Sequence, residues 1–108
     1  MKIRALGTGS SYSRHPLTPP AFLVYTDGAI VSISAPVNLA MRLSSLGDEE
    51  NLSMIVLLSS SFDQMAGLYE LAQHPRKSKI VIATTAAIMH DVKRKLELFL
   101  RQDDCNAF

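Results

Sequence analysis

Ile55-Val56-Leu57-Leu58-Ser59-Ser60-Ser61-Phe62-Asp63-Gln64-Met65-Ala66-Gly67-Leu68 is the stretch that sets the reading of this chain. Met54 to Leu58 is a continuous apolar run, the pattern of a strand buried on both faces. Three serines end it. A helix then starts near Asp63, with Met65, Leu68, Tyr69 and Ala72 at helical spacing, and His74-Pro75 closes it. Ser61 and Gln64 stand in the S-x-x-Q spacing of a capping box, hydroxyl to backbone N–H and amide back to the cap.

Downstream, Ser78 to Ala83 reads as another buried strand. Thr84 or Thr85 caps a helix that runs to about Leu100, with Ile88, Met89, Val92, Leu96 and Phe99 as its core stripe. Leu98 and Leu100 widen that stripe beyond one packed face and are candidates for an interface. Upstream, Pro36 opens a helix with Leu39, Ala40, Leu43 and Leu46 on one face, and Gly47 stops it. Ala21–Thr26 and Ala29–Ser34 flank Asp27-Gly28, the signal of a tight hairpin. Lys2 to Leu6 alternates as a half-buried strand, and Gly7-Thr8-Gly9-Ser10-Ser11 turns the chain into an irregular loop with Pro16, Pro19 and Pro20. Met41, Met54, Met65 and Met89 read as core packing. The order is strand, hairpin, helix, strand, helix, strand, helix. That implies an α/β class, a mixed sheet with an N-terminal antiparallel hairpin and right-handed crossovers after it.

The composition narrows the function classes. The chain has 108 residues, 47% of them hydrophobic and 19% charged, which suits one folded domain and excludes a disordered chain. We assign 1–101 to that domain and 102–108 to a frayed tail. No apolar run approaches the roughly 20 residues of a membrane span, and the opening residues lack a signal-peptide core. The single cysteine, Cys105, cannot form an internal disulfide, so a reducing, cytoplasmic setting is expected. A net charge of +1 argues against non-specific nucleic-acid binding. Basic residues do concentrate late in the chain, at Arg76, Lys77, Lys79, Lys93, Arg94, Lys95 and Arg101 against Asp91 and Glu97. That bias reads first as a solvated face and second as a surface for an anionic partner. His15, His74 and His90 read as surface residues.

The quoted stretch resembles the metal-binding segment of the metallo-β-lactamase-fold hydrolases. There a buried strand ends in H-x-H-x-D-H and leads into a helix that begins with a Gly-Leu pair. Here the apolar strand, Phe62-Asp63 and Ala66-Gly67-Leu68 keep that pattern. Lys2 to Ser11, Pro20 to Val24 with Asp27-Gly28, Ile33-Ser34-Ala35-Pro36 and Ala83-Thr84-Thr85 resemble the family's neighbouring segments. The likeness is nearest to the cyclic-phosphate phosphodiesterase of phosphonate breakdown and the pyrroloquinoline-quinone biosynthesis protein B. It implies half of an αββα sandwich, with helices on one face of the sheet.

The family's chemistry does not carry over. Ser59, Ser61 and Gln64 stand where the resemblance expects histidines, and Ser34 stands at the upstream aspartate. Asp63 alone matches. Hydroxyls and an amide are poor zinc donors, and the family's metal-activated water would go with the metal. The resemblance therefore implies no catalytic residue, no metal and no cofactor, where the family holds zinc. It also implies a role in binding, assembly or regulation. A homodimer, or a partner chain supplying the second half of the sandwich, would cover the sheet. Two alternatives stay open. One is a metal-dependent hydrolase of phosphodiester-like substrates completed by a partner chain. The other is a metal-free anion site at Ser59, Ser60 and Ser61, where hydroxyls gather at a helix start.

Overall fold

A computed structural model describes residues 1–7, 21–73 and 78–99. Its strands are β1 (Lys2–Gly7), β2 (Ala21–Thr26), β3 (Ala29–Ile33), β4 (Leu52–Val56) and β5 (Val81–Ala83). Its helices are α1 (Leu39–Ser45), α2 (Phe62–Met65), α3 (Gly67–Gln73) and α4 (Ala86–Phe99), with a 3-10 turn at Glu49–Asn51. The strands form one sheet in chain order. β1, β2 and β3 pair antiparallel, while β4 and β5 add in parallel. The mixed α/β sheet with its N-terminal hairpin is the architecture the sequence implies. Among the described residues no helix is long and apolar enough to cross a membrane. The turn at residues 8–11, the proline loop, His15, His74-Pro75, Leu100, the Phe99 side chain and the 102–108 tail lie outside what is described.

Local chemistry accounts for the element ends. Asp27 and Gly28 both take positive φ, 43° and 80°, the signature of a type I′ turn that matches strand twist. Gly47, at φ 75°, ends α1: its N–H donates to Ser44 O and the Asp48 N–H to Leu43 O. This is a Schellman pair, and glycine permits it. Thr85 caps α4, its Oγ1 accepting the Ile88 N–H at 3.3 Å. The helix expected from Pro36 begins at Leu39 instead. Asn38 sits at φ 69°, a left-handed conformation that a helix cannot include.

The sheet has two unlike faces. Arg4, Leu23, Ser32, Ile55 and Ile82 form one cross-strand row and face the helices. The core lies on that side: Leu23, Ile30, Leu52 and Ile55 pack against Leu39, Leu43, Leu68, Leu71, Val92 and Leu96. An irregularity in the β3–β4 register lets Leu52 join them. Ile30 pairs with Leu52 and Val31 with Met54, so Ser53 is the extra residue of a bulge. Beside the Thr26–Ala29 pair, the opposite face carries two longer rows, Ile3–Val24–Val31–Met54–Val81 and Ala5–Phe22–Ile33–Val56–Ala83. Every side chain of the two longer rows is apolar, and none belongs to the core. Ile3 is 64% exposed, Phe22 46% and Val81 56%.

This corrects four expectations. β4 is not buried on both faces, because an apolar run shows that both faces are apolar and not that both are covered. The side chains of Lys2 to Ala5 are exposed and not half-buried, since β1 is an edge strand. β5 spans three residues and not six, although Ile80 just before it is buried. Two methionines are not core packing: Met41 is exposed on the outer side of α1, one position off the Leu39–Ala40–Leu43 stripe, and Met54 lies on the open face.

The single helix expected after the serines is broken between α2 and α3, and Gly67 explains the break. Its N–H donates to Ala35 O at 2.7 Å, while Gln64 O accepts the Ala35 N–H at 2.8 Å. Two groups that would serve the helical ladder are thus diverted to the segment after β3. The approach is close: a Cβ on Gly67 would lie 2.3 Å from Pro36 O and 3.0 Å from Ala35 O. Only glycine fits there without moving backbone.

Candidate functional site

The residues singled out by the sequence gather where β3 and β4 end and α2 begins. Ser34 follows β3 at φ 74° and is buried. Its N–H donates to Val56 O at 2.8 Å, and its carbonyl accepts the buried Ser32 hydroxyl at 2.8 Å. The paired Ala35–Gln64 and Ala35–Gly67 main-chain bonds hold this segment against the start of α2. Ser34, Ser59, Ser60, Ser61, Asp63 and Gln64 therefore belong to one region.

The serine loop is tied up internally. Ser59 Oγ and Ser61 Oγ lie 2.7 Å apart, and the Ser61 N–H donates to Ser59 Oγ at 3.0 Å. That local turn replaces the expected capping box. Ser61 is the N-cap of α2, but its hydroxyl caps nothing, and the Gln64 N–H goes to the Ser61 carbonyl at 3.0 Å. The hydroxyl is already engaged with Ser59, which is the competition that short polar side chains set up near helix starts.

Two residues from α4 reach this loop. Ser60 Oγ donates to Asp91 Oδ2 at 3.3 Å, and Lys95 Nζ donates to Ser60 O. Asp91 and Lys95 are four residues apart and share one side of the helix, a spacing that the sequence shows without showing what the two residues reach. The Tyr69 hydroxyl donates to Lys95 O at 3.2 Å, and the Phe62 and Tyr69 rings sit 5.7 Å apart. Burial pushes the Tyr69 phenol above its ordinary pKa. The Thr84 hydroxyl donates to Leu57 O at 2.8 Å and pins the end of β4 to the segment before α4.

The donor set does not fit zinc. It offers three hydroxyls (Ser34, Ser59, Ser61), one amide and one carboxylate, and two of the hydroxyls bond each other. Imidazole or thiolate donors are missing from the set. Among the described residues no three His, Cys, Asp or Glu side chains gather into a metal-holding group. His90 is exposed on α4. Of the two interface candidates, Leu98 is exposed on α4 and Leu100 lies outside the described residues.

No protein-family model matches the sequence, and no curated protein matches it. Solved structures do match the fold. The zinc-bound PqqB from Methylobacterium extorquens superposes with a TM-score of 0.71 at 14% identity, over 87% of this chain and 43% of its own. A diphosphatase of the PhnP family gives 0.73 at 16% identity, over 90% of this chain and 46% of its own. The short form of human tRNase Z gives 0.71 at 19% identity, over 91% and 40%. This chain spans less than half the length of each. These are metallo-β-lactamase-fold proteins, and the chain therefore carries part of the metallo-β-lactamase fold.

Proposed function

We propose that this chain is a metal-free, non-catalytic metallo-β-lactamase-like unit that acts by assembly. The sheet face that the described residues leave open docks a second layer supplied by another copy of the chain or by a partner chain. The observation that carries this reading is the pair of apolar rows on the open face, from Ile3 across Phe22 and Val31 to Val81. Contiguous apolar surface of this kind is ordinarily covered in a working protein. The solved structures it matches each extend well beyond the matched part, which supports a further layer against this face. The serine and glutamine substitutions support the absence of metal chemistry.

Native mass spectrometry on protein purified without chelator tests both halves of the proposal. A metal-free dimer is expected, and Phe22→Glu with Val81→Glu should return it to monomer. One or two zinc masses per chain would overturn it in favour of a metal-dependent hydrolase of phosphodiester-like substrates completed by a partner chain. That second reading draws on the diphosphatase and tRNase Z among the structural neighbours. It requires phosphodiesterase activity restored by Zn²⁺ or Mn²⁺ and lost on Asp63→Ala.

A further inference from the structure

The short strand β5 ends the sheet, and among the described residues no strand pairs with its far side. The Leu57 N–H donates to Ala83 O at 3.0 Å, so the main-chain groups of Val81 and Ala83 point toward β4. Strand alternation then aims the Ile82 N–H and C=O at the free side. A cavity of about 560 Å³ lies beside this strand, between it and α4. Ile80, Ile82, Val92 and Leu96 supply its apolar wall. Lys79 and Lys93 line it as well, both exposed, and Glu97 is its acidic member. Two lysines against one glutamate leave the border of the trough net positive.

A free strand edge, an apolar trough alongside it and a positive border together select one kind of occupant. We propose that β5 takes an extended peptide segment of a partner protein by strand addition, with an apolar centre flanked by acidic residues. Main-chain bonds to Ile82 would supply the pairing. Alternate side chains on the helix side of the added strand would enter the trough, and the flanking carboxylates would meet Lys79 and Lys93. A small apolar ligand would use the trough but leave the strand edge and the lysines unexplained. This inference concerns the edge of the sheet and stands apart from the open face.

The probe is a fluorescein-labelled peptide with a central Val-Thr-Val-Thr-Val run and Glu-Asp at each end, measured by fluorescence anisotropy with the whole chain. Saturable binding is expected. A counterpart with lysine ends should bind about tenfold more weakly at low salt, a gap that narrows as salt rises. Lys79→Glu with Lys93→Glu, both surface changes, should reverse the preference between the two peptides. Exchange of the Ile82 amide should slow about tenfold or more on adding the acidic peptide. Equal binding of both peptides, no saturation, or binding without Ile82 protection would overturn the proposal. So would an Ile82 amide already protected in the free protein and released on truncation after residue 99, because the chain's own end would then hold the edge.

Discussion

The helix face and the open face of this sheet are made from the same strands and nearly the same residue types, yet they differ in fate. Leu23 on β2 and Ile55 on β4 are fully buried, while Phe22 on the other side of β2 and Val81 on β5 stay about half exposed. Hydropathy tells which residues are fit for burial. It does not tell whether anything comes to bury them. The helix face is completed within the chain, so its contribution to stability is intramolecular. The open face can contribute only through a second molecule or a further segment.

The largest expected effect tests the completed face. Ile55→Ala removes a fully buried side chain from the helix side and should lower unfolding free energy by about 3 kcal/mol in denaturant melts. Val31→Ala, on the open side, should cost about 1 kcal/mol or less in dilute protein. Its cost should grow with protein concentration if a second copy covers the face. Equal, concentration-independent losses at the two sites would break the comparison.

Gly67→Ala should cost about 2 kcal/mol or more, because the new methyl meets Pro36 O and Ala35 O. A thermal melt within a degree or so of the parent would mean that the approach is looser than described. Smaller effects separate two caps that look alike in sequence. Thr85→Ala should destabilise by about 1 kcal/mol, since Oγ1 accepts the Ile88 N–H. Ser61→Ala should stay within about 0.5 kcal/mol, because its hydroxyl caps nothing. A larger loss at Ser61 than at Thr85 would restore the capping box.

The subtlest prediction concerns Tyr25 on the helix face. Burial, and then its hydrogen bond to Asp48 Oδ2 at 3.1 Å, hold its phenol above the ordinary value of 10.0. The folded state thus favours the neutral phenol. Its stabilising contribution is complete below the unfolded pKa and is lost as pH rises through the raised folded value. Alkaline melts of Tyr25→Phe should therefore fall less steeply between the ordinary and the raised value than those of the parent.

Much of the fold was legible because its signals are local. Asp27-Gly28 forces its hairpin, Gly47 its helix stop and Thr85 its cap through residues a few positions away. What escaped the sequence depends on distant partners. The kink at Gly67 is made by Ala35 and Pro36, some thirty residues earlier in the chain. The Ser61 hydroxyl could serve the helix or Ser59, and nothing in an S-x-x-Q spacing decides between them. The bulge at Ser53 is equally silent in sequence, yet it decides that Leu52 packs inward. At the site, the hydroxyl and amide side chains at positions 59, 61 and 64 were plain, whereas the approach of Asp91 and Lys95 required the register of α4.

The bonds that clamp Ala35 to Gln64 and Gly67 run through main-chain atoms alone. They depend on no donor that a metal would also need. A scaffold of this kind separates inheritance of shape from inheritance of chemistry. Side chains at positions 59, 61 and 64 can change without touching these clamps, so the outline of this region does not depend on what those positions carry.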